Sequence, residues 1–369
     1  MIIGVAGLGT MGLGIVQTYA QAGFSVLATD AYGPARDSAL SRLAGALAPR
    51  VAKGAITEAD RDALLSRVTV IESADQFAPA ALVIEAIVER LDAKQTLFGA
   101  IQAAAPGAVL ASNTSSLPVH QIAAGLVRPD RLIGLHFFNP APVMKLVELI
   151  GPAGCDPQAL ALARQVTEAA GKTVIAAPDR PGFIVNRCAR PYYGEALALL
   201  EEGRSPGEID AAMVAAGYRL GPFALIDLIG ADINLAATEG LAAAMGGHPR
   251  YHVFAALRAQ VASGALGAKA GRGFTVNGEV GSPPADAAAL VLRIEATLVN
   301  EACWLLAEGG VTRDGIDTAL RLGLNFPRGP FEALERHGPA TIRATLSALE
   351  TAAAPHLKGR YAAAPALAA

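Results

Sequence analysis

Short apolar runs alternating with helical periodicity set the architecture of this chain. Residues 2–6, Ile-Ile-Gly-Val-Ala, form an apolar run of strand length, and Ile15, Val16, Tyr19 and Ala20 then recur at helical spacing. A second run, 24–29, closes on Asp30. Further short runs follow at 68–71, 81–86, 108–111, 131–135, 146–150 and 172–176, with helical periods at 93–104 and 157–170 between several of them. Strands alternating with helices predict a largely parallel, doubly wound sheet covered on both faces. Residues 38–66 carry a helical period broken at Lys53-Gly54, which predicts a helical hairpin inserted after the second strand, with Lys53 at its tip.

The pattern changes after Asp179-Arg180-Pro181-Gly182, a turn that marks a domain boundary. Helical periodicity dominates from there, and the chain repeats itself. Glu195-Ala-Leu-Ala-Leu-Leu-Glu-Glu-Gly203 matches Glu301-Ala-Cys-Trp-Leu-Leu-Ala-Glu-Gly309, Ile209-Asp210 matches Ile316-Asp317, and Gly221-Pro222-Phe223 matches Gly329-Pro330-Phe331. The offset drifts only from 106 to 108 residues. Two copies are too few for a solenoid, so two related halves packed as an intramolecular pseudo-dimer are expected. The expected organisation is an α/β Rossmann-like domain over 1–179 with the hairpin at 38–66. An all-α region follows, made of a first helical copy over 180–280 and a second, degenerate copy over 285–369. A chain active as a monomer is expected, with a homodimer also compatible. The stretch from Tyr361 to Ala369 reads as disordered. Asn186 has no amide counterpart in the second copy, where the offset lands on Leu292; only the first copy is then expected to face an active site.

Candidate chemistry sits where strands end. The first run meets Gly7-Leu8-Gly9-Thr10-Met11-Gly12, and Asp30 lies 21 residues after Gly9. This is the strand–glycine loop–helix–strand–acid order of a dinucleotide site. The glycines permit a tight turn and close approach of a pyrophosphate to the helix N-terminus, while Asp30 accepts from ribose hydroxyls and repels a 2′-phosphate. An ordinary glycine turn requires neither the flanking strand nor the acid. Ligands of such sheets bind at the carboxyl ends of strands, which puts Glu89, Ser112-Asn113-Thr114-Ser115-Ser116 and His136 along one crevice. One hydroxyl of that Ser/Thr cluster is expected to cap the next helix. His136 follows an apolar run in Gly134-Leu-His-Phe-Phe-Asn-Pro140, and the next run carries Glu148. A carboxylate beside an imidazole fixes its tautomer and stabilises its charged form; without that partner His136 would read as a core histidine.

Composition narrows the classes. Hydrophobic residues make up 52% and aromatics 5% of 369 residues, an Ala-rich globular profile. A net charge of −3 gives no reason to expect nucleic acid or an anionic membrane as partner. Cys155, Cys188 and Cys303 are widely spaced, which argues against a disulfide frame or a metal site. No apolar run is long enough to span a bilayer. The amino terminus enters an apolar strand without a basic region or cleavage site, so a soluble cytoplasmic protein is expected.

These motifs together resemble the L-3-hydroxyacyl-CoA dehydrogenases over nearly the whole chain. The matching pieces are Gly7–Ile15, Glu85-Ala-Ile-Val-Glu89, Ala111-Ser-Asn-Thr-Ser-Ser-Leu117, Gly134–Pro140, Pro181-Gly-Phe-Ile-Val-Asn-Arg187 and Gly221-Pro-Phe223. The tandem carboxy-terminal copies resemble the longer bacterial 3-hydroxybutyryl-CoA and 3-hydroxyadipyl-CoA dehydrogenases. The resemblance implies NAD-dependent interconversion of an L-3-hydroxyacyl-CoA and its 3-oxoacyl-CoA, in fatty-acid β-oxidation or in aromatic or short-chain acid catabolism. It makes His136 the general base, Glu148 its orienting partner, and Ser115 and Asn186 hydrogen-bond donors to the substrate oxygen. It assigns cofactor contacts to the glycine loop, Asp30, Glu89, Lys94, Ser115, Asn139 and Lys269, and a CoA-phosphate contact to Lys53. The sequence departs from the family at Ala46, where a serine often contacts CoA, and at Ala268 and Ala270 beside Lys269.

Two other readings compete. A related enzyme oxidising a sugar acid would keep the fold and change the substrate; Lys53 and the hairpin favour a phosphate-bearing CoA thioester. A non-catalytic NAD-sensing protein would have no physical need for the Ser115, His136, Glu148 and Asn186 set.

Overall fold

The computed structural model describes residues 1–276 and 281–368. The expected end of the first helical copy at 280, and Ala369, lie outside the described residues. Among them, eight strands form one sheet: Ile2–Ala6 (β1), Ser25–Thr29 (β2), Val68–Val70 (β3), Leu82–Glu85 (β4), Val109–Ser112 (β5), Leu132–Phe137 (β6), Leu146–Gly151 (β7) and Thr173–Pro178 (β8). Their order is β3-β2-β1-β4-β5-β6-β7-β8. All neighbours from β3 to β6 pair in parallel, β6 and β7 pair antiparallel, and β7 and β8 pair in parallel. The last two strands therefore run against the other six. The cause is the short link 138–145, tightened by hydrogen bonds from the Val143 and Met144 amides to the Pro140 carbonyl; a parallel return would need a long crossover.

Strand β1 has β2 on one side and β4 on the other, so the strand order reverses there and opens a crevice at the carboxyl ends of β1 and β4. Ile3, Val5, Ile84, Val109, Ile133 and Leu135 are fully buried in the sheet core, as apolar strands covered on both faces require. After β2 come the helices Ala39–Ala52 and Glu58–Leu65, whose Leu43, Leu47 and Leu64 are buried in the same core. Thr57 and Asp60 form a capping box at the start of the second of these helices. Lys53 is the exposed C-cap of the first.

The chain divides into two units, Met1–Arg180 and Pro181–Ala369. The second is helical, and its central helix, Ala287–Ala307, packs against Arg190–Glu201, Pro206–Ala215, Pro330–His337 and Pro339–Ala352. One local device occurs twice. Asp210 accepts from the Phe223 and Ala224 amides, and Asp317 accepts from the Phe331 and Glu332 amides. Each aspartate thereby caps a helix that begins Gly-Pro-Phe. A Cβ at Gly221 or at Gly329 would lie 2.3 Å from the capping side chain, so the glycine is required by that close approach.

Ion pairs link the helices of the second unit reciprocally. Arg187 donates from Nε to Glu301 at 2.7 Å and forks onto Glu308, while Arg293 donates from Nε to Glu195 at 2.7 Å and forks onto Glu202. Arg250 and Tyr251 also bond Glu301, and Arg360 and Tyr361 bond Glu195. The expectation of disorder after Tyr361 is thus corrected. Tyr361, Ala364 and Leu367 are buried, and the Ala364 amide donates to Asn300. These small apolar residues pack as a plug, which an alanine-rich composition conceals.

Candidate active site

The chain leaves β1 at Gly7, whose φ of +101° places it in the region that favours glycine. A Cβ at Gly7 would meet the Ala86 carbonyl at 2.5 Å, and one at Gly12 would meet the Gly7 carbonyl at 1.7 Å. Those two glycines are fixed by packing. A Cβ at Gly9 would meet nothing within 4 Å, so open space lies before the start of the helix Thr10–Gln21. The first amides of a helix have no acceptor of their own, and Thr10, Met11 and Gly12 begin this one. The loop fits the pyrophosphate of a dinucleotide on these grounds.

Asp30 is bound to this loop. Its carboxylate accepts from the buried Leu8 amide at 2.7 Å and from the Tyr32 amide at 2.9 Å. Folding brings two cations to this loop. Arg36 donates to the Asp30 carbonyl at 2.6 Å, and Arg42 donates to the Leu8 carbonyl at 2.9 Å.

Strands β4 and β5 contribute a buried charge network. Lys94 is 1% exposed and Glu85 is fully buried. The Lys94 ammonium bonds both Glu85 oxygens at 2.7 and 2.8 Å and pairs with Glu89 at 3.2 Å. An ammonium has three donors, and all three are engaged. The Lys94 ammonium thus lies against the Glu85 and Glu89 carboxylates beside the crevice. Glu89 accepts from the Thr114 hydroxyl, the Ser115 amide, and the Ser116 amide and hydroxyl. Burial alone would raise the Glu89 carboxyl, but the Lys94 charge and the Thr114 and Ser116 hydroxyls together hold it below the usual range. Thus Lys94 fixes Glu89, and Glu89 fixes the backbone of Ser115.

His136 lies on β6 itself. Antiparallel pairing sets it directly opposite Glu148 on β7, and its Nδ1 is 2.6 Å from a Glu148 oxygen. The imidazole is 6% exposed and the carboxylate fully buried. The Phe137 amide donates to Asn113 at 2.8 Å, tying the ends of β5 and β6 together. Asn139 is exposed in the turn beyond β6 and is joined to Pro140 by a cis peptide bond.

Strands β1, β4, β5 and β6 are parallel neighbours, so the glycine loop, Glu89, Ser115 and His136 follow one another along a single sheet edge. Asn186 and Lys269 belong to the second unit. The Asn186 carbonyl accepts from Arg190 at 3.0 Å, and Lys269 pairs with Asp232 at 2.6 Å. The helix Val119–Ile122 is not capped by the Ser/Thr cluster. Asp179 accepts from its Val119 and His120 amides, both at 2.8 Å. Sequence reasoning also missed Glu85 as a site residue, although an acid closing an apolar strand is the signal for it.

Comparison with known proteins agrees with this geometry. The family profile "3-hydroxyacyl-CoA dehydrogenase, NAD binding domain" matches residues 2–180, and "3-hydroxyacyl-CoA dehydrogenase, C-terminal domain" matches 182–277 and 290–368. A probable 3-hydroxybutyryl-CoA dehydrogenase of Bacillus subtilis is 40% identical over 73% of this chain and 95% of its own length. A 3-hydroxyadipyl-CoA dehydrogenase of Escherichia coli is 39% identical over 73% of this chain, which is 58% of that relative. The crystal structure of a 3-hydroxybutyryl-CoA dehydrogenase of Escherichia coli K12 superposes with a TM-score of 0.93 at 29% identity, covering 100% of this chain and 97% of that one.

Proposed function

The chain belongs to the 3-hydroxyacyl-CoA dehydrogenase family, and from that premise we propose that His136 is the general base of an NAD-dependent oxidation of an L-3-hydroxyacyl-CoA, oriented by Glu148. The observation that carries this reading is the buried cross-strand pair at 2.6 Å. Bonding of Nδ1 to Glu148 leaves Nε2 as the basic atom. In the oxidation, Nε2 takes the proton of the 3-hydroxyl as the C3–H bond breaks and the C3–O bond becomes a carbonyl. NAD, when bound, accepts the hydride. The imidazolium that forms lies against the Glu148 charge, and reversal of these steps reduces the 3-oxoacyl-CoA.

Ser115 and Asn186 are proposed to donate to the substrate oxygen, where charge changes as the C–H bond breaks. Glu89 then acts by holding the Ser115 backbone and lining the cofactor edge, and Lys94 acts through Glu89. Lys94→Met would leave Glu85 buried without its counter-charge. The expected result is a fall in kcat, with a smaller effect in Lys94→Arg. A Lys94→Met enzyme with unchanged kcat and KM for NAD would contradict the network's role. Asn139, Lys269 and Lys53 complete the proposal as contacts to the cofactor and to CoA phosphate.

Asp30 sets the cofactor preference. Asp30→Ala is expected to lose NAD affinity and gain relative use of NADP, since Arg36 and Arg42 remain for a 2′-phosphate. The ratio of kcat/KM for the two cofactors measures this; equal wild-type turnover with both would contradict it.

The relatives named for 3-hydroxybutyryl-CoA favour a short acyl chain, and a place in β-oxidation or short-chain or aromatic acid catabolism follows from that substrate class. Steady-state rates over a chain-length panel of 3-hydroxyacyl-CoA substrates, with and without a terminal carboxylate, test the reading. Absence of turnover on all of them would overturn it. No helix among the described residues is long and apolar enough to cross a membrane.

The two helical copies are proposed to be one duplicated unit packed as an intramolecular pseudo-dimer. The offsets of the matched motifs and the reciprocal Arg–Glu pairs support this. The surface through which a single-copy chain would dimerise is then already covered, and an active monomer is expected. Removing residues 285–369 should expose a broad apolar face and cause dimerisation or aggregation. A truncated chain that stays monomeric and fully stable would contradict the proposal.

A further inference from the structure

The reciprocal ion pairs of the second unit form a balanced set. Arg187, Arg250, Arg293 and Arg360 meet Glu195, Glu202, Glu301 and Glu308, four cations against four anions. Arg190 adds a fifth cation and no fifth carboxylate. It is only 8% exposed, and it makes no ion pair among the described residues. Its Nε donates to the Asn186 carbonyl at 3.0 Å, and its Nη1 to the Thr238 hydroxyl at 3.0 Å and the Asn234 carbonyl at 3.5 Å. The guanidinium lies 4.8 Å over the Tyr193 ring. These neutral partners satisfy part of its hydrogen-bonding capacity, but Nη2 has no acceptor among the described residues. A buried guanidinium without a counter-charge carries a desolvation cost that neutral acceptors offset only in part. The 106-residue offset places Ala296 at the matching position of the second copy, so this charge stands outside the reciprocal arrangement.

Arg190 borders a small cavity of about 10 Å³, whose polar wall also includes Tyr193, Arg250, His252 and Arg360. A void of that size admits about one water-sized body. No carboxylate lines it; Glu201 accepts from the Ala256 amide and is not part of the wall. Tyr193 is 2% exposed, and its hydroxyl has no hydrogen-bond partner among the described residues. Burial, with His356 and Arg360 nearby, holds His252 below the usual histidine range. Three guanidinium groups and an unpartnered hydroxyl thus surround a space for one small particle.

We propose that this cavity binds a single halide-sized monoanion, which neutralises Arg190 and accepts from its Nη2 and from the Tyr193 hydroxyl. A water would fill the space and leave the charge. The proposal is independent of the catalytic reading, since it uses neither His136 nor a substrate.

Chloride and bromide are the probes. In the full chain, sodium chloride should raise Tm by about 3–5 °C per tenfold increase beyond its dissociation constant. Sodium gluconate, whose anion is too large to enter, should not do so at equal ionic strength. Arg190→Met should abolish the chloride-specific rise, and Tyr193→Phe should weaken it. Should Arg190→Met fail to fold, crystals of the unmodified protein grown in bromide supply the second readout: an anomalous peak within hydrogen-bond distance of Arg190. Equal Tm in chloride and gluconate, or no bromide in the cavity, would overturn the proposal. A bromide peak without a chloride-specific Tm rise would mark an adventitious ion only and would also overturn it.

Discussion

His136→Gln is expected to lower kcat for 3-hydroxyacyl-CoA oxidation by about 10²–10⁴-fold, the usual contribution of a general base. Glutamine keeps much of the side-chain volume but does not take up the hydroxyl proton. Affinity for NAD should be nearly unchanged, because the proposed cofactor contacts centre on the glycine loop and Asp30, on other strands of the sheet. Glu148→Gln should alter the structure less and still slow the reaction severely, since the imidazolium forming on His136 loses its counter-charge. A His136→Gln enzyme with near-normal kcat would return the histidine to a purely structural role.

Arg187→Met is expected to destabilise the second unit by about 3 kcal/mol, the low end for breaking a buried ion pair. The low end applies because Arg250 and Tyr251 remain on Glu301. For a unit of this size that corresponds to a fall in Tm of about 6–12 °C. The reciprocal Arg293→Met should cost less. The Arg187 side chain is 1% exposed, whereas that of Arg293 is 16% exposed and forks onto a half-exposed Glu202, so water replaces part of what is lost. Thermal melts of the two variants measure the difference. Equal and small shifts would show that the pairs add little beyond the apolar packing of the helix Ala287–Ala307.

Much of this was legible in the residues because the signals are local. A glycine loop between an apolar run and a helix, followed by an acid at strand spacing, identifies a dinucleotide site without tertiary information, and NAD is the cofactor of the family. His136 at the end of an apolar run and Glu148 in the next could be seen as candidates. Their pairing could not be read from spacing alone, because it depends on β7 running antiparallel to β6, which the short link 138–145 decides. The surroundings of Lys94 were less legible. Sequence places a lysine near the crevice, but only the packed helix Leu91–Ala104 reveals that Glu85 encloses its ammonium. Asp179 read as part of a boundary turn, although it caps a helix some 60 residues earlier in the chain. The Arg360-Tyr361 pair was hidden in an alanine-rich tail, yet it matches Arg250-Tyr251 at an offset of 110 residues.

The rate of NADH formation in the His136→Gln/Glu148→Gln double variant, under saturating NAD and substrate, tests the central claim most directly. If Glu148 acts through His136, the two losses do not multiply, and the double variant should be little slower than the poorer single variant. A double variant slowed by the product of the two single losses would mean that the carboxylate and the imidazole act separately, contradicting the account.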